Sequence, residues 1–117
     1  MAPSISDLPK AMRSSDPMAK QHVPDAGEIV WMAGRRPALV LSPAAYNGKT
    51  NLMICCPLTT QVKNYPFEVF IAGTPPNAVL ADQVKSLDWR IREATPKGRV
   101  SPAQLAEVRA KIHALIG

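Results

Sequence analysis

The chain has 117 residues, 46% of them hydrophobic and 20% charged, which is typical of one globular domain with a single modest core. Its formal net charge of +5 favours a polyanionic or acidic partner. Only 5% of the residues are aromatic, so any recognition of nucleobases by stacking depends on very few rings.

The two cysteines, Cys55 and Cys56, are adjacent in the chain. In a strand they would point to opposite faces, so they cannot share a tetrahedral metal site, and a disulfide framework is excluded. No apolar run reaches the ~20 residues that a membrane-spanning helix needs. These features predict a soluble protein of the reducing cytoplasm, with no metal and no other cofactor.

Residues 1–21 lack sustained periodicity and contain turn-forming pairs such as Leu8-Pro9 and Asp16-Pro17. We predict that they form a flexible N-terminal extension or a cloning remnant, and that residues 22–117 form the domain. The alternative is a tail that lies across a partner or across the second subunit of a dimer.

The following residues show the apolar runs and the two-residue alternation of strands. The predicted strands are Ile29–Trp31, Arg36–Ser42, Leu52–Cys56, Phe67–Ile71, Val79–Ala81 and Val84–Leu87. The run from Arg36 to Ser42 predicts a strand buried on both faces, and Asn47-Gly48 predicts a turn. Phe67 alternates with Val69 and Ile71, which favours a core position for its ring.

The C-terminal residues change to a helical period. Ser101 is predicted to be the N-cap, with Pro102 in the first turn and Gln104 completing a capping box. The helix would end at Gly117, and its apolar stripe comprises Leu105, Val108, Ile112 and Leu115. Several short strands followed by one helix predict an α+β, mainly β fold: a small bent sheet or partly open barrel with a packed terminal helix.

Six stretches, read in this order, resemble the MazF/PemK family of bacterial toxins: Val23–Trp31, Arg36–Pro43, Cys56–Gln61, Lys63–Val69, Leu80–Ser86 and Asp88–Arg90. The resemblance extends from Val23 to Gly117. It implies an SH3-like barrel of the CcdB/MazF type with a C-terminal helix, assembled as a two-fold homodimer. It also implies metal-independent cleavage of single-stranded RNA at short sequences, leaving a 2′,3′-cyclic phosphate and a 5′-hydroxyl. A cognate acidic antitoxin, similar to MazE, would neutralise the toxin.

Attack of a ribose 2′-hydroxyl on the neighbouring phosphate needs a proton acceptor, fixed positive charge and a proton donor for the leaving oxygen. The chain has two histidines, His22 and His113, and neither has a convincing catalytic partner in the sequence. The resemblance instead implies Arg36 and Thr59 as catalytic residues. The Arg36 guanidinium would fork onto two phosphate oxygens, and the Thr59 hydroxyl would hold the phosphate in line.

Each of these residues also has a simpler interpretation, in which Arg36 is a surface arginine in a salt bridge and Thr59 ends a strand or satisfies a turn. Arg35 is expected to point away from Arg36 and to act as a steering charge. The candidates for contacts to RNA are Thr60, Gln61, Lys63, Gln83, Lys85 and Ser86, and those for base stacking are Tyr65, Phe67 and Trp89.

One connection departs from the family pattern. Family members carry a longer, glycine-rich segment with an acidic residue before the Arg-Pro pair, whereas four residues, Met32–Arg35, separate Trp31 from Arg36 here. The connection is naturally short, was deleted deliberately, or belongs to a sequence from which a mobile loop was omitted. The alternative function is therefore a weakened or inactive protein of the same fold that still binds antitoxin or RNA. A topoisomerase poison like the CcdB toxins would carry a C-terminal tryptophan, whereas this chain ends Ala114-Leu115-Ile116-Gly117.

Overall fold

A computed structural model describes residues 21–117, which form seven strands, two α-helices and a short 3-10 helix over Ala81–Gln83. The strands are β1 (Glu28–Met32), β2 (Arg36–Val40), β3 (Leu52–Thr59), β4 (Glu68–Ile71), β5 (Asn77–Leu80), β6 (Lys85–Asp88) and β7 (Thr95–Arg99). The helices are α1 (Ala44–Thr50) and α2 (Pro102–Ile116). The predicted extension lies outside the described residues except for Gln21, and the division at residue 22 stays a prediction.

The strands pair antiparallel in the order β4-β5-β3-β2-β1-β7, and β6 also pairs with β3. Strand β3 is the branch point of the sheet. Its first half pairs with β6 (Leu52 opposite Asp88), and its last two residues pair with β5 (Leu58 opposite Val79). Because two strands follow one another along the same edge of β3, the sheet bends there. The structure confirms the predicted mainly β fold: a small, barrel-like sheet with a C-terminal helix.

Buried side chains form two clusters on opposite faces of the sheet. The first contains Ile29, Leu39, Cys56, Val69, Val79, Ala81, Val100, Val108 and Ile112, and the second contains Val30, Met32, Ala38, Val40, Met53, Cys55 and Trp89. Strand β2 therefore buries Leu39 on one face and Ala38 with Val40 on the other, as its apolar run predicts. The two cysteines lie in different clusters, which confirms that they point to opposite faces.

Helix α2 covers the first cluster through Val108 and Ile112. Its N-terminus has the predicted capping box: Ser101 Oγ accepts from the Gln104 backbone N–H at 3.1 Å, and Gln104 Oε1 accepts from the Ser101 N–H at 2.9 Å. The predicted apolar stripe is wrong at Leu115, which is 50% exposed because the last turn of α2 extends beyond the sheet that the helix covers.

The turn predicted at Asn47-Gly48 is wrong, because both residues lie inside α1. The Asn47 amide is buried and donates to the carbonyl oxygens of Pro24 (2.8 Å) and Ser42 (3.0 Å). It also accepts from the Ser42 hydroxyl at 2.6 Å. Breaking the hydrogen bonds of a buried polar group costs free energy. The network around Asn47 therefore outweighs the preference of an Asn-Gly pair for a turn.

Two further features differ from the sequence predictions. Strand β7 is absent from the predicted strands, because Pro96 and Gly98 disfavour a strand and all five of its residues are exposed. Among residues 21–117 it pairs only with β1, as an edge strand, where a missing N–H is tolerated. Phe67 is half-buried and outside both clusters; its ring contacts Tyr65 at a centroid distance of 5.9 Å. It precedes β4, where the alternating pattern begins one residue later.

Candidate functional site

Three adjacent clefts lie beside the start of β2 and the end of β3. The basic cleft, of about 430 Å³, is bordered by Arg35, Arg36, Lys85 and Arg92. The polar cleft, of about 320 Å³, is bordered by Thr59, Gln61, Lys63, Tyr65, Glu68, Asp82 and Gln83. The aromatic cleft, of about 560 Å³, is bordered by Trp31, Thr59, Thr60, Thr74, Asn77 and Lys97.

The aromatic cleft joins the other two. It shares Arg35, Pro37 and Leu58 with the basic cleft, and it shares Thr59 with the polar cleft. The three clefts therefore adjoin one another around the end of β3, and together we call them the groove. Positively charged side chains lie at one end of the groove, and hydroxyl and amide groups lie at the other. This arrangement suits an extended polyanion whose repeating units also carry hydrogen-bonding groups.

Arg36 opens β2, where its side chain is exposed on the same face as the buried Ala38. Strand β6 adds Lys85 to this cleft, and the turn after β6 adds Arg92. None of the described residues that line the basic cleft is acidic. Both salt bridges within residues 21–117 belong to Glu28, which contacts His22 (2.8 Å) and Arg99 (3.7 Å), so the cations of the cleft take no part in them. Their positive potential is available to a bound anion.

Arg35 borders the basic cleft together with Arg36, and it also borders the aromatic cleft, which Arg36 does not. The expectation that the two side chains point in opposite directions stays a prediction. Arg35 lies outside the strand, in the turn that joins β1 and β2, with a left-handed backbone (φ 63°). Strand alternation therefore does not apply to it. Gly34 before it also has positive φ (84°), a conformation that glycine adopts at little cost.

The turn that carries Arg35 is short and well anchored. The Arg35 N–H donates to the Met32 carbonyl oxygen at 2.9 Å, and Met32 pairs directly with Arg36 in the sheet. The Ala33 N–H donates to the Arg92 carbonyl oxygen at 2.7 Å. The hairpin thus closes fully over the residues Met32–Arg36, and it contains no carboxylate.

Cys55 lines the basic cleft but does not provide a nucleophile. Burial raises the pKa of its thiol to about 11, although the nearby positive charges of Lys85 and Arg92 lower it. Burial likewise raises the pKa of Cys56 to about 12. Both thiols are therefore protonated at neutral pH, and neither supplies a thiolate to this surface.

Thr59 ends β3 and borders both the polar and the aromatic clefts. Its Oγ1 accepts from the Gln61 N–H at 3.0 Å. This contact is the one expected from the simpler interpretation, in which the Thr59 hydroxyl satisfies a turn. A hydroxyl that accepts this bond still has its own proton to donate. Arg36 and Thr59 do not border the same cleft; the two clefts they occupy meet at Arg35, Pro37 and Leu58 through the aromatic cleft.

A single carboxylate organises the loop along the polar cleft. Glu68 Oε1 accepts from the backbone N–H of Lys63 (3.1 Å) and Tyr65 (3.4 Å). From the other side, Lys111 of α2 donates to the Pro66 carbonyl oxygen at 2.6 Å. These contacts hold the loop between β3 and β4 in place, and so position Gln61 and Lys63 at the cleft.

Tyr65 donates its hydroxyl to Asp82 Oδ2 at 3.1 Å across the polar cleft. The hydrogen bond and the charge of Asp82 raise the pKa of the phenol, so it stays protonated at neutral pH. The side chain of Tyr65 remains 48% exposed and contacts Phe67. Of the predicted stacking residues, Tyr65 therefore borders the groove.

The structure brings together most of the predicted site residues. Gln61, Lys63 and Gln83 border the polar cleft, Thr60 the aromatic cleft, and Lys85 the basic cleft. Ser86 borders none of these clefts, because it follows Lys85 in β6 and strand alternation directs the two side chains to opposite faces.

The two histidines lie outside the groove. His22 Nε2 lies 2.8 Å from Glu28 Oε1, and His113 borders an apolar hollow on α2. The prediction that Trp89 stacks a base is wrong: the residue is 4% exposed, and its Nε1 donates to the Asn47 carbonyl oxygen at 2.9 Å. Its ring belongs to the core.

Among the groove residues absent from the predicted site are Trp31, Arg92 and Lys97. A signal for Trp31 was available, because it directly precedes the short connection that departs from the family pattern. Arg92 and Lys97 had no comparable signal. Their positions depend on how the turn after β6 and the edge strand β7 fold back against β1.

A model of the PemK-like, MazF-like toxins of type II toxin–antitoxin systems matches residues 20–116. The chain belongs to this family. It is 50% identical to the endoribonuclease toxin MazF of Escherichia coli K12 over 111 residues, which cover 86% of this chain and all of the relative. The aligned part of this chain is thus shorter than the relative by about ten residues, in agreement with its short β1–β2 connection.

Solved structures of the MazF-like family share the fold. A crystal structure of MazE–MazF from Deinococcus radiodurans (form II) has a TM-score of 0.80 and 52% identity, covering 83% of this chain and 98% of that one. MazF alone from the same organism (form I) has a TM-score of 0.78 and 49% identity, over 83% and 99% of the two chains. An endoribonuclease from a mycobacterial species, at 22% identity and a TM-score of 0.71, shares the fold over 84% of this chain and 95% of that one.

Two kinds of structure are absent from residues 21–117. They contain no helix long and apolar enough to cross a membrane. They also contain no group of three or more histidine, cysteine or acidic side chains placed to hold a metal ion.

Proposed function

We propose that this protein is an endoribonuclease toxin of a type II toxin–antitoxin system, which cleaves single-stranded RNA in the bacterial cytoplasm without a metal. The observation that carries the proposal is the groove, in which Arg36 is one of four clustered cations and Thr59 lies among hydroxyl and amide groups. The MazF relative at 50% identity, which is named an endoribonuclease, supports the same activity.

In the proposed reaction, a ribose 2′-hydroxyl attacks the adjacent phosphorus, and the bond to the 5′-oxygen of the next nucleotide breaks. The products carry a 2′,3′-cyclic phosphate and a 5′-hydroxyl. Arg36 stabilises the charge that develops on the phosphate oxygens, and its two N–H groups fix their orientation. Thr59 donates a hydrogen bond from its hydroxyl to the same phosphate, while the Gln61 N–H holds its oxygen in place. The 2′-hydroxyl loses its proton to solvent water, and the departing 5′-oxygen takes up a proton from solvent water to become the 5′-hydroxyl. Because Arg36 and Thr59 lie in joined clefts, the RNA must run along β3.

Lys85 and Lys63 then hold the flanking phosphates, one at each end of the groove. Gln61, Gln83 and Thr60 are placed to hydrogen-bond base edges or 2′-hydroxyl groups. Ser86 is exposed, and its neighbours on β6 border the basic cleft. We therefore retain Ser86 only as a contact for the part of an RNA strand that extends beyond the groove.

The test is cleavage of a mixed single-stranded RNA in excess EDTA, with analysis of the new ends. We expect discrete cuts with 2′,3′-cyclic phosphate ends, and we expect Arg36→Ala to reduce the rate by roughly 100-fold or more. Lys49→Ala, which removes one positive charge from a position bordering none of the clefts, should leave the rate within about twofold. Cleavage that needs a divalent cation, or an Arg36→Ala variant as active as the Lys49→Ala control, would refute the proposal.

A second candidate function is a binding protein of the same fold that does not cleave RNA. The observation that favours it is the closed β1–β2 turn, which leaves the basic cleft with no carboxylate among the described residues to accept the 2′-hydroxyl proton. Such a protein would bind a non-cleavable RNA or an acidic antitoxin, yet produce no cuts in the assay above.

We also propose an acidic, MazE-like antitoxin as the partner of the groove. The cations of the basic cleft are free of salt bridges within residues 21–117, and two of the similar solved structures are MazE–MazF complexes. An acidic peptide from the antitoxin should compete with RNA and lose affinity as salt rises. Competition that does not depend on salt would argue against binding in this groove.

Finally, we propose that the chain functions as a homodimer. Beside α2 lies an apolar hollow lined by Leu41, Ile54, Val84, Ile112 and Ile116. Ile116 is 74% exposed, and Ile54 and Val84 are each more than one-third exposed, which is unfavourable in water. Light scattering should give twice the chain mass, and Ile116→Glu should shift the equilibrium towards monomer. Ile91→Glu, which changes a 78% exposed residue outside the hollow, is the matched control.

A further inference from the structure

Trp31 is a large aromatic side chain that the fold leaves 38% exposed, whereas the only other tryptophan, Trp89, is 4% exposed. Its neighbours in β1 are all buried: Ile29 in one core cluster, and Val30 with Met32 in the other. Strand β1 therefore directs Trp31 to the same face as Ile29, but beyond the part of that face that α2 covers.

The position of the ring is set by the strands on either side. Trp31 lies opposite Pro37 of β2 and opposite Thr95 of β7. Lys97 is the unpaired residue of an irregularity in the β1–β7 pairing, between Pro96 opposite Val30 and Gly98 opposite Ile29. Its Nζ lies over the indole ring of Trp31, 5.0 Å from the ring centroid. This distance is within the range of a cation–π contact. This contact orients an aromatic ring that the core does not hold.

The ring faces a space with hydrogen-bonding groups. The aromatic cleft, of about 560 Å³, contains Thr59, Thr60, Thr74 and Asn77 besides Trp31 and Lys97. Its volume lies in the range of small-molecule sites. The short β1–β2 turn follows Met32, is bonded to Arg92 through Ala33, and contributes Arg35 to the border of the same cleft.

From these observations we infer that Trp31 is the base-stacking platform of the RNA groove, for a nucleobase next to the phosphate that contacts Thr59. The inference rests on the proposed binding of RNA, and it assigns Trp31 a positioning role. When the base stacks, the ammonium group of Lys97 moves from the ring face to the phosphate of the same nucleotide. Asn77 and Thr60 border the base edge. Stacking on an exposed indole accepts any base, so Trp31 contributes affinity and alignment to every substrate.

The test uses a 2′-O-methyl RNA oligonucleotide, which has no 2′-hydroxyl to react, so that binding is measured without cleavage. Trp31→Ala should raise the Kd by roughly 5- to 100-fold, and Trp31→Phe, which keeps an aromatic face, should recover most of the affinity. Ile91→Ala is the control, because it removes an exposed apolar side chain that borders no part of the groove. Melting temperatures of all variants establish that each is folded.

Two further readouts separate stacking from a structural effect. The emission of Trp31 should change when the oligonucleotide binds, and this change should be absent from Trp31→Phe, in which only the buried Trp89 emits. An oligonucleotide scanned with single abasic sites should contain one position at which the wild-type protein loses affinity and Trp31→Ala does not. Both results are specific to a base on the ring, since neither is expected from a loosened strand.

The outcomes also distinguish this inference from the proposed function. If the wild type binds the oligonucleotide through Trp31 but does not cleave unmodified RNA, the nuclease proposal fails and the inference stands. If the wild type cleaves RNA while Trp31→Ala binds as tightly as wild type, the inference is overturned and the nuclease stands. If a folded wild type binds no RNA, both are overturned.

Discussion

The backbone N–H of Ala33 donates a 2.7 Å hydrogen bond to the carbonyl oxygen of Arg92. This bond joins the tip of the β1–β2 hairpin to the turn after β6, two segments far apart in sequence. The hairpin carries Arg35 directly after Gly34. The basic cleft is bordered by this arginine together with Arg36, Lys85 and Arg92. The concentration of positive charge at this end of the groove is therefore a consequence of a backbone contact.

The first prediction concerns that charge. Arg35→Ala and Arg92→Ala should each weaken binding of a non-cleavable RNA and make log Kd depend less steeply on log salt. On a single strand the slope should fall by about 0.7 for each phosphate that the variant no longer neutralises. The measurement is a salt titration of binding between low and physiological ionic strength. Lys49→Ala should leave the slope unchanged, and equal slopes for all three variants would show that neither arginine binds a phosphate.

The second prediction concerns the hydroxyl at the end of β3. Thr59→Ala should reduce the cleavage rate by roughly 10- to 100-fold, because it removes both the donor to the phosphate and the acceptor of the Gln61 N–H. Thr59→Ser keeps the hydroxyl and should retain most of the activity. Single-turnover rates in EDTA measure the effect. If the serine variant is as inactive as the alanine variant, the methyl group matters more than the hydroxyl, and the proposed role is wrong.

The third prediction concerns the start of α1. The N-cap position is Pro43, which has no side-chain acceptor, and Asp25 takes its place: Oδ1 accepts from the Ala44 N–H and the Ala26 N–H, both at 2.9 Å. Asp25→Ala should lower the free energy of unfolding by about 1 kcal/mol at pH 7, as for the removal of other helix caps. Urea denaturation measures it, and Ala45→Gly, an exposed change in the first turn, is a comparison that leaves the cap intact.

The same carboxylate should make stability depend on pH. The backbone hydrogen bond from Ala44, then that from Ala26, lower the pKa of Asp25 below 3.8 in the folded state. A carboxyl with a lowered folded pKa stabilises the protein above its unfolded pKa, and this contribution is lost as the pH falls through the folded value. The loss should therefore occur below about pH 4 and be smaller in Asp25→Ala. If the stability of wild type and of Asp25→Ala fell by the same amount with falling pH, this assignment would be contradicted.

The fourth prediction concerns the thiols. With pKa values raised to about 11 and about 12, Cys55 and Cys56 should be almost entirely protonated at pH 8. A thiol-reactive disulfide reagent should label them far more slowly in the native protein than in urea, and RNA cleavage should be unaffected by brief treatment. Rapid labelling of the native protein would show that one thiolate is accessible. Cys55→Ser and Cys56→Ser, measured separately, would identify which.

Local patterns in the sequence determined the main elements of the fold. The capping box at Ser101 and the helical spacing of Val108 and Ile112 place α2 correctly, because caps and apolar periodicity are properties of neighbouring residues. The run Arg36–Ser42 likewise predicts a strand buried on both faces. The resemblance adds Arg36 and Thr59 as catalytic candidates, and the structure locates both along one groove.

Other features were decided only by contacts between distant parts of the chain. Asn47 is helical because the carbonyl oxygens of Pro24 and Ser42 accept hydrogen bonds from its buried amide. Trp89 is a core residue because its indole N–H donates a hydrogen bond to the Asn47 carbonyl oxygen. Trp31, by contrast, is 38% exposed and belongs to neither core cluster, although its neighbours Val30 and Met32 are buried. The sequence carries the chemical identity of each side chain, but its burial and partners depend on which strands lie beside it, and these are set by the packing of the whole domain.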